Sequence, residues 1–227
     1  MTELVKKDEG GLAVIPGLED VDREDMVIPT LYPDGKEGFF RDSLDENATN
    51  RTITGVLLTF NKGWKLREGD PPKTTCRSQF GDVGSHGTSC EGCPRRKRVE
   101  GQRDYCKRVY DLLFIPEGQS LPTIISVGAV TSLGNVKKYI TLFSKKLQRP
   151  FFAAQTKLTL VKDTNARGQS YYVLTFEKLG DTDGEEMIKF NQLMQLYRSK
   201  PTNEEIVKDD LDEAVDINES LGNKTPF

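Results

Sequence analysis

A single amphipathic helix interrupts a series of strand-like segments, and this order constrains the fold more than any other feature of the sequence. Five segments rich in β-branched and aromatic residues are predicted to be strands: residues 51–60, 109–115, 122–129, 151–161 and 171–179. Between residues 130 and 148 the apolar side chains instead recur every three or four positions, with lysines between them, which predicts a helix. The face of this helix is predicted to contain Val130, Leu133, Val136, Ile140, Phe143 and Leu147.

Three strands, a helix and two strands, in this order, have the connectivity of the OB-fold, a five-stranded barrel whose exposed face and loops bind oligonucleotides. The predicted fold class is therefore α+β and mainly β, with an OB-fold-like barrel as its core, although the same elements also allow other arrangements. Residues 26–202 are predicted to form this core, with residues 76–106 inserted between its first and second strands. A last helix is predicted at residues 184–198, with five apolar residues on one face: Met187, Phe190, Leu193, Met194 and Tyr197.

Charge is distributed unevenly along the chain. Residues 203–227 have a net charge of −6 and residues 1–25 a net charge of −5, whereas residues 26–202 contain 27 basic and 19 acidic residues, a net charge of +8. Such acidic ends cannot bury enough apolar surface to offset the entropy of ordering them, so we expect a flexible leader at 1–25 and a disordered tail at 203–227. The basic core favours nucleic acid as a partner. An ordinary solvated basic face is the alternative.

All four cysteines lie between residues 76 and 106 and predict a structural zinc site: Cys76, Cys90, Cys93 and Cys106. Two of them form a C-x-x-C knuckle, whose spacing lets both thiolates reach one ion, and the two outlying cysteines complete a tetrahedral set. A redox role and unligated thiols are the alternatives, and a cytosolic location argues against disulfides. The only histidine, His86, is either a substitute ligand or a loop residue beside the site.

Basic and aromatic residues around the cysteines predict a surface that contacts nucleic acid. The predicted contacts are Lys62, Trp64, Lys65, Arg67, Arg95, Arg96, Lys97, Arg98, Arg103, Tyr105, Lys107, Arg108 and Tyr110. Trp64 is the leading candidate for base stacking because cations flank it and no apolar periodicity includes it. Further aromatic candidates are Phe60, Phe80, Tyr139, Phe151, Phe152, Tyr171 and Tyr172, although most aromatic residues of a domain belong to its core.

The sequence does not predict an enzyme. With one histidine there is no Ser/His or Cys/His pair to propose, and no P-loop occurs. Asp163 and Glu177 suggest a nuclease carboxylate pair only faintly. No apolar run approaches the roughly 20 residues needed to span a bilayer, and the N-terminus lacks an apolar signal region, so we expect a cytoplasmic protein without a membrane partner.

The acidic tail ends in Pro-Phe, and in this it resembles the tails of bacterial and phage single-stranded-DNA-binding proteins. The resemblance implies sequence-tolerant binding of single-stranded DNA in replication or recombination, with the tail recruiting other replication or recombination proteins. Some phage members of this class also contain zinc. The tail residues implied in partner binding are Asp209, Asp210, Asp212, Glu213, Asp216, Pro226 and Phe227.

Two other functions fit the same sequence. In the first, residues 76–106 form a zinc module that binds duplex DNA, as in a transcriptional regulator, and the strands only support it. In the second, the acidic ends bind basic protein partners and no nucleic acid is bound. The sequence leaves homo-oligomerisation open.

Overall fold

An eight-stranded β-sheet and two α-helices are the main elements of the part of the chain that the structure describes. The computed structural model describes residues 28–45, 50–68, 73–78, 83–85, 87, 89–96 and 105–198. These residues lie in one compact unit, Ile28–Lys200. The predicted class, α+β and mainly β, is confirmed.

The strands follow the predicted order, with three additional strands. They are β1 (Thr30–Pro33), β2 (Phe40–Asp42), β3 (Thr52–Glu68), β4 (Lys73–Ser78), β5 (Lys107–Pro116), β6 (Thr123–Val127), β7 (Ala154–Thr164) and β8 (Ser170–Asp181). Their order in the sheet is β2-β1-β6-β5-β3-β7-β8, and β4 pairs with β3 outside this path. Every pair is antiparallel except β1 with β6. The five predicted strands correspond to β3, β5, β6, β7 and β8.

The sheet is open, so the closed five-stranded barrel expected from the sequence is not found. The hairpin of β1 and β2 occupies the free edge of β6, where a closing strand would otherwise pair. The turn between β1 and β2 contacts β8, where the backbone N–H of Tyr172 donates a 2.7 Å hydrogen bond to the carbonyl of Gly35. Gly38 in this turn has a φ of 79°, and a β-carbon there would lie 2.5 Å from the Tyr172 ring, so only glycine fits.

β3 is longer than predicted, since residues 61–68 continue the strand that was expected to end at Phe60. On one edge these residues pair with the beginning of β5, and on the other they pair with β4. We call residues 61–68, 73–78 and 107–110 the arm. Its polar sequence has no apolar alternation because most of its residues are exposed or half-buried on both faces, and strand prediction depends on burial of at least one face.

Two helices cover opposite faces of the sheet. Helix α1 (Val130–Thr141) continues as a π-helical segment, Leu142–Leu147, so the predicted helical span is confirmed. It packs Val136 and Phe143 against one apolar cluster, whereas Val130 is 77% exposed, because it begins the helix, and does not belong to the buried face. Helix α2 (Gly184–Arg198) packs its predicted apolar face against a second cluster. No helix in the described ranges is long and apolar enough to cross a bilayer.

The two clusters share strands. Leu57 belongs to the first cluster and Leu58 to the second, and the same holds for Leu112 and Leu113 on β5. Successive side chains of a strand point to opposite faces, so β3 and β5 are buried from both sides in this region. The arm is therefore an extension of two strands that are buried on both faces.

Candidate nucleic-acid interface

Trp64 lies at the centre of the arm. It pairs with Arg108 of β5 on one side and with Ser78 of β4 on the other. Its backbone N–H donates a 3.0 Å hydrogen bond to the Ser78 hydroxyl. The preceding residue is Gly63, where a β-carbon would collide with the carbonyl of Ser78, so β4 can approach only because this residue is glycine.

Two guanidinium groups lie over the Trp64 ring. The guanidinium carbon of Arg96 is 4.2 Å from the ring centroid, and that of Arg108 is 4.8 Å away. Both distances are within the range of a cation–π contact, and the planar guanidinium also stacks on aromatic rings. Trp64 is half-buried and Arg108 is exposed. The ring and the two guanidinium planes over it thus form one aromatic, positively charged patch.

Two lysines of this region also lie close to aromatic rings. The amino group of Lys65 is 5.1 Å from the Tyr32 ring, and that of Lys107 is 5.5 Å from the Tyr105 ring. In addition, Lys65 and Lys107 pair directly across β3 and β5. Like charges in directly opposite positions reduce the stability of a sheet.

The residues around the C-x-x-C knuckle, which we call the cysteine segment (89–96), are attached to the arm by polar contacts. A short 3₁₀ helix, Pro94–Arg96, directly follows the C-x-x-C knuckle. Arg95 forms a 2.7 Å ion pair with Glu68 at the end of β3, and its carbonyl accepts a 2.7 Å hydrogen bond from the Cys106 N–H. The Thr75 hydroxyl donates to the other carboxylate oxygen of Glu68 at 2.7 Å. Glu68 therefore connects the segment to both β3 and β4.

The four thiols are not arranged as a metal site. Cys90 and Cys106 are buried, Cys76 and Cys93 are half-buried, and all four are free of disulfides. Burial raises the pKa of Cys106 to about 11, and the charges of Cys93, Cys76 and Cys90 act in the same direction, so Cys106 lies within electrostatic reach of the other three. In the described ranges no three His, Cys, Asp or Glu side chains are arranged to hold a metal ion. His86 lies outside the described residues.

Several predicted aromatic contacts are wrong because their rings are inside the core. Tyr110 is 3% exposed and packs 5.9 Å from Phe60, so it is not part of the surface around Trp64. Tyr139 is 5% exposed, and its hydroxyl shares a 2.7 Å hydrogen bond with Thr156. Phe152 is 7% exposed and belongs to the second cluster. Each of these rings is on the side of its strand or helix that faces an apolar cluster.

The other predicted contacts divide into three groups. Those of the first group are exposed or half-buried and belong to the arm or its neighbours: Lys62, Trp64, Lys65, Arg67, Arg95, Arg96, Tyr105, Lys107 and Arg108. Four further aromatic candidates, Phe60, Phe151, Tyr171 and Tyr172, are half-buried. The remaining predicted residues lie outside the described part of the chain: Phe80, Lys97, Arg98, Arg103, Asp209, Asp210, Asp212, Glu213, Asp216, Pro226 and Phe227.

The two carboxylates that faintly suggested a nuclease are far apart. Asp163 pairs with Tyr171, and Glu177 pairs with Lys157, six residues along β7. Six residues of a strand span roughly 20 Å. Asp163 instead accepts a 2.9 Å hydrogen bond from the Tyr171 hydroxyl.

Sequence reasoning missed a buried ion pair beneath the arm. Nη2 of Arg77 on β4 is 2.7 Å from Oδ2 of Asp111 on β5, and both side chains are 10% exposed. This pair connects the two strands that flank β3. Asp111 was detectable as a single charge inside the apolar run VYDLLFI, but its partner was not, because Arg77 is 34 residues away.

The arm thus presents an aromatic ring and several cations on one three-stranded scaffold. Such a surface suits a ligand that combines negative charge with flat rings. No family model matches the chain, and no curated protein or solved structure is detectably similar to it.

Proposed function

We propose that the arm binds single-stranded nucleic acid, with DNA as its main ligand and little sequence preference. The observation that carries this proposal is the Trp64 ring beneath Arg96 and Arg108, at 4.2 and 4.8 Å. A base stacks on the indole or on a guanidinium plane, and stacking is tolerant of sequence because every base has a flat face. The phosphates are neutralised by the surrounding cations, among them Lys65 and Lys107.

The strand connectivity supports this proposal. β3 pairs with β5 and β7, β5 pairs with β6, and β7 pairs with β8, with α1 between β6 and β7. These are the pairings of an OB-fold before its barrel closes. We interpret the core as a variant OB-fold in which the β1–β2 hairpin takes the closing edge, and the arm as the part that contacts the ligand.

We infer that Cys76, Cys90, Cys93 and Cys106 bind a structural zinc ion. The chemistry of the donor set fits zinc, because these are the four thiols of the chain, three of them lie within electrostatic reach of Cys106, and none is in a disulfide. Zinc would stabilise the thiolate forms and hold the segment together, without taking part in a reaction. A redox pair or unligated thiols are the alternatives, and mass spectrometry under native and denaturing conditions distinguishes them from bound zinc.

We propose that the acidic tail, residues 203–227, recruits replication or recombination proteins through Phe227. A free aromatic carboxylate fits an apolar pocket with a basic rim. The tail also opposes the charge of the core, −6 against +8, so it competes with nucleic acid for the cations.

The experiment that tests the main proposal is a fluorescence-polarisation titration. A labelled oligothymidine of about 30 nucleotides and a duplex of equal length are titrated at two salt concentrations, with an oligouridine as competitor. We expect tight, salt-sensitive binding of the single strand. Trp64→Ala should weaken it by about tenfold or more, because stacking contributes ~1–3 kcal/mol per base.

Two charge reversals form a test and its matched control. Lys107→Glu changes the arm, whereas Lys162→Glu changes an exposed lysine near the opposite end of the sheet, beyond the β7 residues that pair with Thr52. Only the first should weaken binding strongly. Preference for the duplex would instead favour the duplex-DNA regulator, and binding of neither ligand would favour a protein-interaction factor.

A further inference from the structure

One side chain connects the cysteine knuckle to the tryptophan. The Arg96 guanidinium lies 4.2 Å from the Trp64 ring centroid, and its Nη1 donates a 2.8 Å hydrogen bond to the carbonyl of Cys90. The Arg96 backbone N–H also donates to the carbonyl of Cys93 at 3.1 Å. Both cysteines of the knuckle thereby fix the position of Arg96.

The second arginine over the ring is held differently. Arg108 belongs to β5 and is placed opposite Trp64 by the strand register alone. No cysteine is needed to bring it there. The two guanidinium groups therefore differ in one respect that can be tested. Only the position of Arg96 depends on whether the C-x-x-C knuckle, Cys90 and Cys93, is held in place.

We propose that metal binding at the cysteines and nucleic-acid binding at the arm are coupled through Arg96. This inference rests on the proposed function. When the thiols are held together, the carbonyls of Cys90 and Cys93 keep Arg96 over Trp64 and in place for the ligand. When the thiols are released, these carbonyls no longer hold Arg96, and binding of the ligand must include the cost of fixing its side chain. Coupling of this kind is reciprocal, so nucleic acid raises the affinity for the metal by the same factor.

The first measurement needs no nucleic acid. Trp64 is the only tryptophan of the chain, so intrinsic emission reports on its ring alone. Reduced, metal-free protein is titrated with zinc. The emission of the unmodified protein and of Arg108→Ala should change with one equivalent of zinc. Arg96→Ala should bind the same amount of zinc, measured by native mass spectrometry, with little change in emission.

The second measurement is the affinity for oligothymidine with and without zinc. For the unmodified protein we expect a loss of about tenfold on zinc removal, within the usual range of coupling between sites. Arg96→Ala should bind the oligonucleotide weakly and equally in both conditions. Arg108→Ala should also bind weakly but keep the zinc dependence. Circular dichroism of each variant verifies that the sheet is intact.

The possible failures are distinguishable. If oligothymidine binds equally well with and without zinc, the coupling is overturned and the proposed function stands. If zinc changes the Trp64 emission but no oligonucleotide binds, the proposed function is overturned, and the coupling with it. Equal zinc dependence in Arg96→Ala and Arg108→Ala would also overturn the role of Arg96.

Discussion

Asp111 is a buried carboxylate whose ion-pair partner is Arg77. Its Oδ2 is 2.7 Å from Arg77, and its buried Oδ1 has no hydrogen-bond partner among the described residues. Removing a charge from water costs several kcal/mol, and only good geometry between the two ions recovers this cost. The pair is therefore sensitive to the loss of either member.

We expect Asp111→Ala to lower the free energy of unfolding by about 3–5 kcal/mol, because it leaves the Arg77 guanidinium buried without its counter-charge. Urea denaturation measures this loss. Asp181→Ala is the control, since Asp181 pairs with Arg149 and Lys178 at an exposed position, where solvent screens the ion pairs, and it should have a much smaller effect. The double change Arg77→Met with Asp111→Leu should recover most of the loss. Equal losses of stability in Asp111→Ala and Asp181→Ala would contradict the role of burial.

Gln148 ends the π-helical segment in a left-handed conformation, with a φ of 50°. This region is unfavourable for residues with a β-carbon and accessible to glycine. Gln148→Gly should therefore raise the free energy of unfolding by about 0.5–1 kcal/mol. Gln148→Ala keeps the β-carbon and should give no gain. Both are compared by thermal unfolding, and a glycine variant less stable than the alanine variant would contradict this explanation.

At the scale of elements, α2 depends on its apolar face. The helix packs Phe190, which is 9% exposed, against the second cluster, and leaves Ile188 63% exposed. Phe190→Ala should lower the free energy of unfolding by about 3 kcal/mol or more, through lost burial and the cavity left behind. Ile188→Ala removes a similar apolar group from solvent and should change it by less than about 0.5 kcal/mol. Similar losses for both would mean that α2 does not pack as described.

At the scale of the whole molecule, charge separates the core from the chain ends. If the tail competes for the cations of the arm, deletion of residues 203–227 should tighten oligothymidine binding at low salt. This gain in affinity should disappear at high salt, because salt screens the contact of the tail with the cations as well as that of the oligonucleotide. Polarisation titrations at about 50 and 300 mM salt test this. Unchanged or weaker binding by the shortened protein would contradict the competition.

The elements that bury one face or more could be read along the chain. Residues 109–115 and 122–129 were recognisable as continuous apolar runs, because their strands are buried on both faces, and residues 130–148 were recognisable by an apolar period of 3.6. The face of α2 was predicted from Met187 to Tyr197 for the same reason. The clustering of the cysteines, and the place of Trp64 among cations, could likewise be read along the chain.

How these elements meet could not be read along the chain. The placement of β1 and β2 at the edge of β6, and the pairing of β4 with β3, depend on hydrogen bonds between residues distant in sequence, which no local period records. The same is true of the side chains: Tyr110 and Trp64 are both aromatic residues among cations, but one ring faces the core and the other faces Arg96 and Arg108. Local periodicity reports whether a segment is buried, whereas strand register and the neighbours across it determine which side chain is left for a ligand.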